Sequence, residues 1–170
     1  TDTIDALRAA ANDADVVITS GGVSVGEEDH ITAAVAALGH LKVWRIAIKP
    51  GKPLAYGRLG DTPYFGLPGN PASLLVTGCL FVRPYLLRLR GVQAVTPPVY
   101  FLPAGFTWPK ASPRREYLRA RCEQGQVTLH AHQGSASLFA ASWAEGLVCV
   151  PENTPVHRGD RVAYLPFAEL

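Results

Sequence analysis

Between the short apolar run Asp15-Val16-Val17-Ile18 and an amphipathic stretch from His30 to Leu38 lies the segment Thr19-Ser20-Gly21-Gly22-Val23-Ser24-Val25-Gly26-Glu27-Glu28-Asp29. The apolar run reads as a buried strand and the stretch after it as a helix, so the chain is committed to a strand–turn–helix unit, the building step of an α/β layered domain. Glycines let such a turn take conformations and close approaches that a side chain would block. The free N–H groups at the start of the helix then make a place where an anion is stabilised. Ser20 and Ser24 add hydroxyl donors, and Asp29 can take a proton, hold a metal or cap the helix. A tight turn with no ligand fits the same residues.

Two common phosphate loops are excluded. Gly21 and Gly26 have Walker-like spacing, but Glu27 and Glu28 follow where a Lys-Ser/Thr pair is required. The paired Gly21-Gly22 does not supply the G-x-G-x-x-G of a dinucleotide site.

A chain of 170 residues holds one ordinary domain or two small ones. At 48% hydrophobic and 18% charged it can build a core. A net charge of +2, with no Lys/Arg run longer than Arg114-Arg115, argues against nucleic acid as a partner. No uninterrupted apolar run approaches the roughly 20 residues of a membrane span, so no membrane partner is expected. Cys79, Cys122 and Cys149 form no CxxC pair and have no histidines at zinc spacing. They read as reduced core thiols of a cytoplasmic protein. The absence of methionine, with Thr1 at the start, suggests a piece of a longer chain.

The chain has two grammars. Up to about Gly91, helices and strands alternate: a helix over 4–12, the strand–turn–helix unit, strands over 41–48, 54–59 and 63–67, and a helix from Asn70 to about Arg90 bent at Pro84. Asn70 is placed to cap that helix, with Pro71 in its first turn. From residue 92, short strands over 99–102, 116–123, 127–132, 147–150 and 161–165 are punctuated by turns such as Gln124-Gly125. The expectation is an α/β layered domain over 1–91, incomplete at its N-terminus, followed by a small all-β, barrel-like domain over 92–170.

A second glycine turn, Gly66-Leu67-Pro68-Gly69-Asn70-Pro71, also leaves a strand and opens a helix. Ligands of open α/β sheets gather beyond the carboxyl ends of strands, so the two turns and the stretch Arg45-Ile46-Ala47-Ile48-Lys49-Pro50-Gly51-Lys52-Pro53 are expected to converge on one cleft. Between them in sequence, Lys49-Pro50-Gly51-Lys52-Pro53 brackets a proline-restricted turn with two cations, suited to phosphate or an oxyanion. Solvated loop lysines account for the same residues.

Ser-Gly-Gly-Val-Ser-Val-Gly-Glu-Glu-Asp, Ile-Lys-Pro-Gly-Lys-Pro and Gly-Leu-Pro-Gly-Asn-Pro, in that order, resemble the MoeA/gephyrin family of molybdopterin molybdenumtransferases. The second half is similar through Arg114-Arg115-Glu116-Tyr117-Leu118-Arg119, His132-Gln133-Gly134-Ser135 and Gly146-Leu147-Val148-Cys149-Val150-Pro151. The resemblance covers nearly the whole chain and places it in the C-terminal portion of such a protein. It implies insertion of molybdate into adenylylated molybdopterin with release of AMP, assisted by Mg²⁺. Asp29 would hold the metal or act near the scissile phosphoanhydride. Gly21, Gly22, Ser24 and Gly26 would surround the pterin phosphate. Lys49 and Arg45, where a lysine is the family's expected residue, would lie near anionic groups with Lys52 and the loop residues Pro68, Gly69, Asn70 and Pro71. Arg119 and Ser135 match positions associated with activity or oxyanion binding.

The resemblance also implies upstream domains that form a homodimer and complete the site across the subunit interface. The chain is therefore expected to be one piece of an enzyme. Two rivals remain. A molybdopterin adenylyltransferase shares the Gly-Gly turn but not the β-rich second half or the Lys-Pro-Gly-Lys-Pro run. A gephyrin-like scaffolding module would have no need of Asp29 and Lys49.

Overall fold

The computed structural model describes residues 2–22, 30–109, 112–134, 136 and 138–170, apart from the side chains of Val43 and Trp44. The first half runs α1 (Asp2–Asp13), β1 (Val17–Ser20), α2 (His30–Leu38), β2 (Gly39–Arg45), β3 (Ile48–Lys49), β4 (Pro53–Leu59) and β5 (Thr62–Leu67). It continues into α3 (Pro71–Thr77), a π-helical turn over Gly78–Val82, and α4 (Arg83–Leu89). The second half contains β6 (Tyr100–Pro103), β7 (Arg115–Glu123), β8 (Gln126–Leu129), α5 (Leu138–Trp143), β9 (Gly146–Val150) and β10 (Arg161–Pro166), with a 3₁₀ turn over Phe167–Glu169.

The first sheet has the order β1-β5-β4-β2, with β1 parallel to β5 and the other pairs antiparallel. Its strand residues divide between two cores with the two-residue period of a pleated strand. Ala55, Leu59 and Tyr64 join Leu7 of α1 and Ala34 and Val35 of α2 on one face. Leu54, Phe65 and Leu67 join Leu74 of α3, Phe81, Val82 and Tyr85 on the other. This is the expected layered α/β arrangement, built on a mixed sheet.

The second sheet has the order β3-β7-β9-β10-β6, with β8 paired to β7. The strand expected over 41–48 is divided: β2 stays with β4, whereas β3 crosses to pair in parallel with β7. The division occurs where the Ile46 N–H donates to the Lys52 carbonyl and the Arg115 N–H donates to the Ala47 carbonyl. At the far side, the chain after β6 meets β8 only through the bridge Ala104–Val127. With four residues in each of these strands, the described strands form no closed barrel. The hairpin at Gln124-Gly125 turns with both residues at positive φ, as a tight β-turn requires.

The helix expected to bend at Pro84 adjusts one turn earlier. Proline cannot donate to the carbonyl four residues before it, and the ladder widens just ahead of it, the Arg83 N–H donating to the Gly78 carbonyl. Asn70 occupies the N-cap position, but its side chain makes no capping bond. The stretch Pro71–Leu89 is long and apolar enough, by length and composition, to cross a membrane. Here its residues pack on both sheets: Leu74, Phe81 and Val82 against the first, and Val76, Cys79 and Leu80 beside Ile48, Tyr117, Leu147 and Leu165. All three cysteines are free, and the expectation that they are core residues fails for Cys122, which is exposed. It lies near the hairpin end of β7, where the burial pattern gives out.

Candidate oxyanion-binding cavity

The two glycine turns meet. A Cβ on Gly69 would lie 3.4 Å from the Gly21 Cα, and the Gly21 N–H donates to the Leu67 carbonyl at 2.9 Å. That bond joins the ends of β1 and β5, so the Gly21 N–H is not one of the outward donors expected of the turn. Gly22, at φ +69°, lies so close to Ile31 that a Cβ would come within 2.6 Å of its side chain. Its carbonyl accepts from the Thr32 hydroxyl at 3.2 Å. Ser24, Gly26 and Asp29 lie outside the described residues, as does Ser135. Pro68 and Gly69 follow β5, Gly69 lying against Gly21, and Asn70 and Pro71 lead into α3.

Lys49 and Lys52 border a different space. They line a cavity of about 820 Å³ between the 49–53 loop and the second half of the chain, with Ser73, Phe106, Trp108, Arg114, Glu116, Leu118, Arg119, His130, Gln133 and Gly134 also on its wall. None of Gly21, Gly22, Pro68, Gly69, Asn70 or Pro71 is on that wall, and neither is Arg45, the exposed last residue of β2. Ser73, two residues into the helix from Pro71, connects the cavity to the second glycine turn. Gly51 holds the lysine loop against that helix: at φ +114°, its added Cβ would stand 2.8 Å from Thr77 Cγ2.

Among the described residues, the cavity wall carries four cations and one carboxylate. Glu116, 2% exposed, receives the Lys49 ammonium at 2.8 Å on Oε1 and the Trp108 indole N–H at 2.7 Å on Oε2. Register places them together, since Lys49 of β3 stands opposite Glu116 of β7.

Arg119, also on β7, has no exposed surface. Its side chain donates to two main-chain carbonyls, Gly134 at 3.0 Å and Tyr117 at 3.5 Å, while its Nε has no partner among the described residues. No carboxylate among the described residues pairs with it. Burial lowers its pKa from the ordinary arginine value, yet a guanidinium stays charged in a protein. A buried cation with no carboxylate partner among the described residues is costly, and an anion that reached the guanidinium from the cavity would relieve that cost. The planar fork suits a tetrahedral oxyanion, which can accept two parallel N–H bonds.

The sequence pointed to Lys49, Lys52 and Arg119 but not to Glu116, Trp108, Arg114, His130 or Gln133. Arg114, Glu116 and Gln133 belong to the second-half motifs quoted above, which was the available signal. Trp108 and His130 had none.

Comparison with known proteins agrees with both halves. Residues 1–88 match the family described as a probable molybdopterin binding domain, and residues 102–167 match the MoeA C-terminal region, domain IV. A protein named molybdopterin molybdenumtransferase from Haemophilus influenzae is 41% identical, the match covering 97% of this chain and 43% of that protein. One of the same name from Nostoc is 43% identical over 55% of this chain and 22% of its own length. The crystal structure of a molybdopterin biosynthesis MoeA protein from Pyrococcus horikoshii superposes with a TM-score of 0.81 at 31% identity, covering 96% of this chain and 40% of that one. The chain thus spans less than half the length of these relatives. By both matches and by its fold, the chain belongs to the MoeA/gephyrin family, comprising a molybdopterin-binding domain and the MoeA C-terminal region.

Proposed function

We propose that this chain is the molybdate-handling part of a molybdopterin molybdenumtransferase, which inserts molybdate into adenylylated molybdopterin and releases AMP. The observation that carries the reading is Arg119: buried, charged, without a carboxylate partner among the described residues, and on the wall of a cavity shared with Lys49, Lys52 and Arg114. Molybdate and a phosphoanhydride are both dense negative charge, so the chemistry calls for fixed cations and donors in a site shielded from water. Arg119 would grip the oxyanion. Lys49, restrained by Glu116, and Lys52 would neutralise charge at the mouth. The glycine turns at Gly21 and Gly69 would take the pterin phosphate.

The same reading takes Mg²⁺ as the metal and Asp29 as its ligand. Asp29 lies outside the described residues, and no group of three His, Cys, Asp or Glu side chains suited to a metal gathers among the described ones. When bound, Mg²⁺ would neutralise charge on the phosphates. The whole protein is taken to be a cytoplasmic homodimer.

Titration of molybdate into the intact protein tests the reading. Arg119→Ala should weaken binding by at least about 100-fold, the scale of a lost charged hydrogen-bond pair, and Lys49→Ala by less. In an assay of AMP release from adenylylated molybdopterin, Arg119→Ala should abolish the dependence on molybdate. Unchanged molybdate affinity in Arg119→Ala would sink the assignment.

A further inference from the structure

The main chain of Arg119 is held in an unusual way. The β7–β8 ladder ends with Ala120 opposite Leu129, one residue short of Arg119. The His130 N–H still reaches the Arg119 carbonyl at 3.2 Å, and the chain then turns away. Gln133 comes back to fill the missing place. Its Oε1 accepts the Arg119 N–H at 2.9 Å, and its Nε2 donates to the Arg119 carbonyl at 2.8 Å and to the His130 carbonyl at 3.0 Å. A side-chain amide offers the same acceptor and donor as a peptide, so Gln133 acts as one further residue of strand. Three bonds to one amide leave it little freedom.

The consequence reaches the guanidinium. Gly134, next in the chain, supplies the carbonyl that the Arg119 Nη2 donates to at 3.0 Å. With no carboxylate among the described residues to orient it, the guanidinium takes its direction from this carbonyl and from that of Tyr117. Ala131, His132 and Gly134 are exposed, and no hydrophobic cluster includes residues 131–134. The Gln133 amide is what ties the turn, and with it the Gly134 carbonyl, to β7.

We propose that Gln133 is a positioning residue for Arg119, fixing the guanidinium in the cavity wall through its grip on the Arg119 main chain and the Gly134 carbonyl it carries into place. This rests on the reading of Arg119 as the oxyanion-holding group. Gln133 acts on the ligand through Arg119, which gives the inference a signature of its own.

The test is a double-mutant cycle in the intact protein with molybdate as the titrant. Gln133→Leu and Gln133→Met keep the bulk and remove the amide, and thermal unfolding confirms that each variant is folded. Each should weaken molybdate binding roughly 10-fold when Arg119 is present, the range for partners that orient a binding group, and should add nothing in an Arg119→Ala background. Unchanged affinity in folded variants, or an equal loss with and without Arg119, overturns the inference. If Arg119→Ala leaves molybdate binding intact, the oxyanion reading fails instead, and hydrogen exchange then judges the clamp alone. The Arg119 amide of the unsubstituted protein should exchange as slowly as its β7 neighbours, and at least 10-fold faster in either variant. A fast Arg119 amide in the unsubstituted protein overturns the clamp even if neither variant folds.

Discussion

The Lys49 ammonium lies 2.8 Å from Glu116 Oε1, joining a strand of the first half to a strand of the second at the edge of the cavity. Lys49 is half exposed and Glu116 is buried, so the two partners are not equivalent. Removing the lysine leaves a buried carboxylate whose one remaining partner among the described residues is the Trp108 indole, whereas removing the carboxylate's charge leaves the lysine free to reach water. Lys49→Met should therefore cost about 1–2 kcal/mol, discounted from the buried-pair range for solvent screening, and Glu116→Gln less than about 1 kcal/mol. Urea unfolding of the two variants measures both, and equal losses would contradict the asymmetry.

Gly51 should tolerate no side chain. At φ +114° an alanine is strained on its own account, and its Cβ would press on Thr77 Cγ2. We expect Gly51→Ala to lose about 1–3 kcal/mol of stability. Because this turn carries Lys49 and Lys52, oxyanion affinity should fall with it; Gly60→Ala, strained by its φ of +58° in a turn with open space around it, serves as the control. Calorimetric unfolding with and without molybdate reads both effects.

Alkaline stability should hinge on Tyr117. Burial, with Cys149 beside it, pushes its hydroxyl up to about 12 from the usual 10. A group whose folded pKa is raised contributes stability that is complete below the unfolded pKa and lost as pH rises through the folded one. The loss should therefore run from pH 10 to 12 and amount to roughly 2–3 kcal/mol for two pKa units. Tyr117→Phe should flatten that part of the stability curve. A curve of unchanged slope in Tyr117→Phe would place the alkaline loss elsewhere, for instance at Tyr164, which burial also raises.

The cysteines should separate by reactivity. Burial raises the thiols of Cys79 and Cys149, which holds them in the unreactive protonated form. Cys122 is exposed and should react first and alone with a thiol-specific chromogenic disulfide in the folded protein. Labelling of Cys122→Ser at a comparable rate would refute this.

The parts of the fold legible in sequence were those written in local chemistry. The 54–59 and 63–67 strands emerge within a residue of β4 and β5 because each is a short, mostly apolar run and Gly60-Asp61 turns between them. Helix α5 was missed: Leu138–Trp143 is six residues with no resolvable period, and only Ala140 of it is buried. The division of 41–48 was equally hidden, since β3 exists only because β7 offers it an edge. In the site, Lys49 and Lys52 were legible as charges trapped between prolines. Arg119 was legible only through its motif, because burial without a counter-charge is a property of the folded molecule. His130 and Trp108 are single residues on segments that only the fold brings together.

The pairing of β3 with β7 also sets an order of events. Ile48 and Lys49 are synthesised early, but Arg115 and Glu116, which give them a sheet to join, emerge only after the whole of α3, α4 and β6. Until then two residues that will form one edge of the second sheet have no strand beside them, and the lysine loop has no opposite wall. Contacts this distant in the chain form slowly, because loop closure must be completed before they contribute. The cavity is consequently among the last features a nascent chain can acquire, and a chain released or cleaved before β7 would hold its glycine turns without the wall that Glu116 and Arg119 supply.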